Sequence, residues 1–169
     1  MVTFQLETLN QMYAHAKSDF PDECCGVILH ADAQEFVRPC RNVQNERHTA
    51  DPVAYPRDAR TAYLIHPDDL IAVHKEAETQ HRPIRAFYHS HPNHEAYFSE
   101  KDKRDAMAWG EPIYPDVAYL VISIFGETCK PELAMEKHGL EIRGVKAYAW
   151  DETSTDFIEV PMRLANREM

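Results

Sequence analysis

The chain has 169 residues, 44% of them hydrophobic and 27% charged, which is enough to bury a core within one domain. Its formal net charge is −10, and no basic block exists to displace counterions from phosphates, so a nucleic-acid binder is excluded. No apolar run approaches the ~20 residues that span a bilayer, and the amino terminus lacks the basic-then-apolar profile of a secretory signal, so no membrane association and a cytoplasmic location are expected.

The predicted elements begin at residues 6–20. Leu6, Leu9, Tyr13, Ala16 and Phe20 recur there at spacings of three and four, one apolar face of a helix. Pro21 and Asp22 end it. CGVILH, starting at Cys25, reads as a buried strand, and EFVRPC (35–40) as a second. Residues 41–60 are polar and interrupted by Pro52 and Pro56, which predicts a long surface loop. AYLIH (62–66) is expected to be a strand. Pro67 suits the first turn of a helix, with Asp68 and Asp69 at its positive end, running to about Gln80.

IRAFYHSH (84–91) predicts a further strand, followed by a helix from about Glu100 to Trp109 and a turn-rich break at GEPIYPD. Trp109 is expected to pack at the end of that helix. VAYLVISIF (117–125) is continuously apolar, as a central strand covered on both faces should be. Residues 131–142 leave strand and irregular structure both open. VKAYAW and FIEVPMRL, joined by DETSTD, read as a closing hairpin. Interleaved strands and helices imply an α/β or α+β fold with a mixed sheet. The four cysteines, Cys24, Cys25, Cys40 and Cys129, form no C-x-x-C pair and read as buried free thiols.

The chemistry concentrates in HSHPNHEAYFSEKD, residues 89–102. His89 and His91 are two apart near the end of a predicted strand, so both imidazoles face one side. Pro92 stops the strand, and Ser99 and Asp102 stand three apart at a predicted helix start. S-E-K-D alone is a capping-box variant, and H-x-H alone carries little. Together they make two same-face histidines and a carboxylate, three ligands with one position open, the arrangement of catalytic rather than structural zinc. Other zinc patterns fail: His94-Glu95 begins an H-E-x-x-H that Phe98 breaks. His74-Lys75-Glu76 has no P-C-x-x-C after it.

H-S-H-P, six residues, then S-x-x-D resembles the motif of the JAMM/MPN metalloprotease family. The family's upstream glutamate segment, P-x-E-x-C-G before an apolar strand, is similar to Pro21-Asp22-Glu23-Cys24-Cys25-Gly26 followed by VILH. EAYFS, YLIHPDD, YLVIS and the closing hairpin resemble the bacterial branch that releases cysteine from sulfur-carrier proteins, over roughly residues 5–164. The resemblance implies a single domain over 1–169 with a curved mixed sheet flanked by helices, similar to the cytidine-deaminase architecture.

From the residues alone, Glu23, Glu95, Glu100 and Glu111 are all candidate general bases; the resemblance selects Glu23, and its position before a buried strand agrees. It further implies that His89, His91 and Asp102 hold one Zn²⁺ with a bound water, and that Ser99 donates to the developing oxyanion. The implied substrate is a ubiquitin-fold (β-grasp) sulfur-carrier protein ending in Gly-Gly, from which cysteine or a short extension is removed. The alternatives are a deconjugase acting on a ubiquitin-like modifier joined to lysine, a phage-tail-type protein of the same family, and a non-catalytic scaffold. His94 is expected to face solvent or substrate, His66 and His74 to serve core or surface, and Cys25 to be structural.

Overall fold

The computed structural model describes residues 1–127 and 139–165, so Cys129 and most of the 131–142 segment lie outside the described residues. In chain order the elements are β1 (Val2–Gln5), α1 (Leu6–Asp19), β2 (Cys25–Ala31), β3 (Gln34–Cys40), α2 (Gln44–Ala50) and α3 (Pro67–Thr79). There follow β4 (Ile84–Pro92), α4 (Glu100–Asp105), β5 (Met107–Ala108), β6 (Glu111–Pro112), β7 (Ala118–Phe125), β8 (Glu141–Asp151), β9 (Asp156–Val160) and β10 (Met162–Ala165).

Six strands form a curved mixed sheet in the order β3-β2-β4-β7-β8-β9, flanked by helices. Its central pair, β4 and β7, is parallel, with His89 opposite Val121; the other pairs are antiparallel. Both central strands are buried along most of their length, which is why their sequences read as continuous apolar runs.

Alternation along these strands divides the core in two. Ala86 and Tyr88 of β4, with Leu120, Ile122 and Ile124 of β7, pack against Leu9, Met12 and Ala16 of α1. Phe87, Tyr119 and Val121 face the other way, against Val73 of α3, Phe98 and Ala106. Each fully buried aliphatic chain there is worth roughly 1.5–3 kcal/mol. On that second side Glu76 of α3 takes two hydrogen bonds from Arg38 of β3, at 2.8 and 2.6 Å, and one from Arg82 at 3.1 Å. The Arg82 guanidinium lies 3.8 Å from the centroid of Phe36, so the clamp ties α3 to an edge strand.

Four expectations are corrected. Residues 41–60 contain α2, and Val43, Gln44 and Ala59 are buried, because Asn42 and Gln44 spend their amides on surrounding backbone carbonyls. Residues 62–66 form no strand: Ile65 makes a single bridge to Asn42 before Pro67 opens α3. The helix expected to reach Trp109 ends at Asp105, and the chain reverses into the β5–β6 hairpin. Trp109 and Gly110, at φ 51° and 87°, form its turn, which leaves Trp109 fully exposed rather than packed. The closing hairpin is β8–β9 only, since Pro161 has no N–H for the ladder; β10 instead pairs in parallel with β1.

Candidate metal centre

The site is built at the end of β4. In the register of β2 with β4, Cys25 stands opposite His89, and Glu23, two residues before Cys25, is buried within electrostatic reach of Asp102. Ser90, between the histidines, points to the opposite face, where its Oγ accepts the Cys24 N–H at 2.8 Å. The Ser90 N–H donates to the Cys24 carbonyl at 3.1 Å. The backbone of Glu23 is held from the other side, its N–H donating to Ala59 O at 2.7 Å and its carbonyl accepting from Asn42 Nδ2 at 2.9 Å. The segment read as a surface loop therefore fixes the position of Glu23.

After Pro92 the chain turns at Asn93, whose φ is 58°. The loop is then pinned to the sheet: Ser123 Oγ donates to His94 O and Tyr148 Oη to Ala96 O, at 2.8 and 2.9 Å. Ser99 caps α4 in a complete capping box. Its Oγ accepts the Asp102 N–H at 3.1 Å, while the Ser99 N–H and Oγ–H donate to Asp102 Oδ2 at 2.8 and 2.6 Å. The cap thereby aims the carboxylate back at the histidines.

His89 Nε2 and His91 Nε2 lie 3.1 Å apart, and Asp102 Oδ2 lies 3.4 and 3.6 Å from them. A tetrahedral ion with bonds of ~2.1 Å has ligand–ligand edges of about 3.4 Å, so these three atoms outline one face of such a tetrahedron. All three residues are buried. His91 Nδ1 is 3.0 Å from the Glu95 carbonyl, which can only accept; the proton sits on Nδ1 and the Nε2 lone pair faces the centre. Tyr63 stacks on His89 with ring centroids 4.6 Å apart. The donor set, two imidazoles and one carboxylate with the fourth direction left to a water, fits a zinc ion.

The electrostatics follow from burial. Desolvation pushes His89 below its ordinary range, against the pull of Asp102. It would raise Asp102 too, but the adjoining His89 and His91 imidazoles and the Ser99 hydroxyl outweigh it and hold that carboxyl low. Glu23 is pushed well above the usual carboxylate range by burial, then by the negative charge of Asp102, with Lys101 and Arg57 opposing. Among the described residues no side chain donates a hydrogen bond to the Glu23 carboxylate.

His94 is exposed. His66 accepts from the Asp68 N–H at the start of α3, and His74 pairs with the Tyr114 hydroxyl at 2.8 Å; neither joins the cluster. Glu95 and Glu100 are exposed, and Glu111 lies on β6. Burial pushes the Cys24 thiol up to about 12 and raises Cys25 as well, so neither is a ready thiolate. Sequence reasoning missed Ser90, Asn42 and Tyr63. For Ser90 a signal existed, since a polar side chain inside a buried strand needs a partner; for Tyr63 there was none.

The chain matches the family described as prokaryotic homologs of the JAB domain over residues 5–145. It is similar to a Mycobacterium tuberculosis protein named CysO-cysteine peptidase, 29% identical over 123 residues that cover 73% of each chain. It is also similar to a Haloferax volcanii protein named desampylase, 28% identical with the same coverage. The solution structure of a Desulfitobacterium hafniense protein shares its fold, with a TM-score of 0.65 at 21% identity over 99% of this chain and 94% of that one.

Proposed function

The chain belongs to the family of prokaryotic homologs of the JAB domain, and from that premise we propose that it is a zinc-dependent hydrolase of ubiquitin-fold proteins. The bond cleaved is the peptide or isopeptide bond after the C-terminal Gly-Gly of a sulfur-carrier protein, releasing cysteine or a short extension. The observation that carries this reading is the burial of Glu23 beside the His89, His91 and Asp102 cluster, within electrostatic reach of Asp102.

His89 Nε2, His91 Nε2 and Asp102 Oδ2 would hold the ion and leave one position for water. Zinc bound there would lower the pKa of a bound water from ~15.7 toward ~7 and would polarise the scissile carbonyl. Glu23 takes the water's proton as its oxygen attacks the carbonyl carbon. It then delivers that proton to the departing amine as the C–N bond breaks. A carboxyl raised by burial suits a group that must hold a proton between the two events. Ser99 orients Asp102. With Oδ2 committed to the ion, the Ser99 hydroxyl can turn its proton to the developing oxyanion, a donor whose loss costs on the order of 10²–10³ in rate.

The name of the mycobacterial relative supports a carrier that loses cysteine. The relative named desampylase keeps the lysine-linked deconjugase as the second reading. A scaffold role is disfavoured because every motif position is present. The test is to incubate the zinc-loaded protein with a carrier ending in Gly-Gly-Cys and follow free cysteine by mass spectrometry. Release of cysteine is expected. Cleavage of lysine-linked conjugates alone would move the assignment to the deconjugase, and no cleavage of either sinks the hydrolase reading.

A further inference from the structure

A cavity of about 600 Å³ adjoins the metal centre, and the chemistry above makes no use of it. Leu70, Phe87 and Tyr114 give it an apolar lining, and Tyr63, stacked on His89, forms the wall shared with the site. Arg57 and Arg104 lie at its rim. The rim carboxylate, Asp105, is taken by Lys101. Arg57 reaches the Thr61 carbonyl oxygen at 3.5 Å, and among the described residues no carboxylate pairs with Arg57 or Arg104. Elsewhere Arg38, Arg41, Arg85 and Arg143 each hold one.

We propose that this cavity is a selectivity subsite for the substrate's tail, seating a large apolar side chain on its lining and an acidic neighbour on Arg57 and Arg104. The occupant's identity rests on the reading of the chain as a hydrolase of a ubiquitin-fold protein's C-terminal tail. Spacing sets which residues are read. The Tyr63 ring, whose centroid is 4.6 Å from that of His89, separates the metal centre from the cavity, so an extended tail routed past it at ~3.3 Å per residue spends about two to three residues on the crossing. Gly-Gly passes that ring without a side chain to clash, so the third and fourth residues before the scissile bond are the first that can fill the cavity. Its volume falls within the ~300–1,000 Å³ of sites that bury small groups. Guanidinium forks bind carboxylates through charge-assisted, paired hydrogen bonds. With a net charge of −10 the protein repels acidic partners at long range, so an acidic tail is accepted only where these two cations face it.

The experiment uses one ubiquitin-fold carrier ending in Gly-Gly-Cys, with the two residues before Gly-Gly set to Leu-Glu, Leu-Gln, Leu-Lys or Ala-Glu. For the zinc-loaded wild type, kcat/KM for Leu-Glu should exceed Leu-Gln by about tenfold at low salt and shrink with added salt. Leu-Lys and Ala-Glu should both fall below Leu-Glu. In the Arg57→Gln/Arg104→Gln double variant, checked for folding by thermal melting, the Glu/Gln ratio should drop to about one. Taking the ratio within each variant cancels any effect of Arg57 on Glu23. A second arm titrates fluorescent tail peptides ending in Leu-Glu-Gly-Gly or Leu-Gln-Gly-Gly in EDTA, where no turnover occurs. Arginine-dependent preference for the acidic peptide without hydrolysis of any carrier leaves the subsite standing and removes the proposed function. Hydrolysis of all tails alike, or a Glu/Gln ratio that survives the double variant, overturns the subsite and leaves the function intact.

Discussion

Ser90 and Cys24 exchange two hydrogen bonds, the Cys24 N–H donating to Ser90 Oγ at 2.8 Å and the Ser90 N–H to the Cys24 carbonyl at 3.1 Å. The residue between the two histidines thus holds the chain that carries Glu23. Ser90→Ala removes the acceptor from a buried N–H, which should cost about 1–3 kcal/mol. The melting temperature should fall by roughly 2–4 °C per kcal/mol for a chain of this size. Zinc stoichiometry should stay near one, because the ligands are untouched, while kcat falls as Glu23 loses its placement. Unchanged melting and turnover would remove Ser90 from any positioning role.

Removing the metal separates ligand from base. EDTA should abolish turnover and lower the melting temperature, since an ion bound only by the folded chain stabilises it by ~2.7 kcal/mol at 100 times its dissociation constant. Asp102→Asn should lose most of that zinc-dependent shift along with activity. Glu23→Gln should keep the zinc and the shift but lose about 10²-fold or more in kcat. A Glu23→Gln protein that turns over normally with zinc bound would end the assignment of the base.

Glu76 gives a pH prediction away from the site. A hydrogen bond from Arg38 holds its carboxyl below its ordinary 4.5; burial opposes it, and the hydrogen bond from Arg82 adds to the lowering. A depressed folded pKa means stability that is present above 4.5 and is lost as pH falls through the folded value. Glu76→Gln should lower the urea midpoint at pH 7 by an amount worth at most about 1 kcal/mol. The gap between the two proteins should close toward pH 3. A gap that is the same at both pH values would show that the loss is one of packing rather than charge.

The candidate site was legible as a cluster because its residues are polar and stand at spacings that strands and caps translate directly into geometry. His89 and His91 share a face by period two, and Ser99 with Asp102 reads as a cap whether or not an ion is present. The supports were less legible because they come from distant segments. Tyr63 reaches His89 from a stretch mistaken for a strand, and Asn42 reaches Glu23 from one mistaken for a loop. Trp109 was misplaced because a tryptophan is usually buried, while the two left-handed residues of a tight hairpin turn override that preference here. The parallel pairing of β1 with β10 joins the two ends of the described chain, and no local pattern announces it.

Gly26 completes the glutamate-bearing segment, and its role is one of space. A Cβ there would lie 2.5 Å from the ring of Tyr88, closer than real contacts allow. Tyr88 cannot withdraw cheaply: it is fully buried among the α1-side core, and its hydroxyl is 2.8 Å from His15 Nδ1. Gly26→Ala must therefore push β2 away from β4, at the overpacking cost of roughly 1–3 kcal/mol. Because Glu23 lies three residues upstream on the same chain, the displacement should reach the base. The expected result is a lower melting temperature together with a fall in kcat, with zinc still bound by His89, His91 and Asp102. A Gly26→Ala/Tyr88→Phe double variant, which removes the hydroxyl contact, should recover part of both losses. If the single variant melts and turns over like the wild type, the close approach of Gly26 to Tyr88 does not set the spacing between the base and the metal ligands.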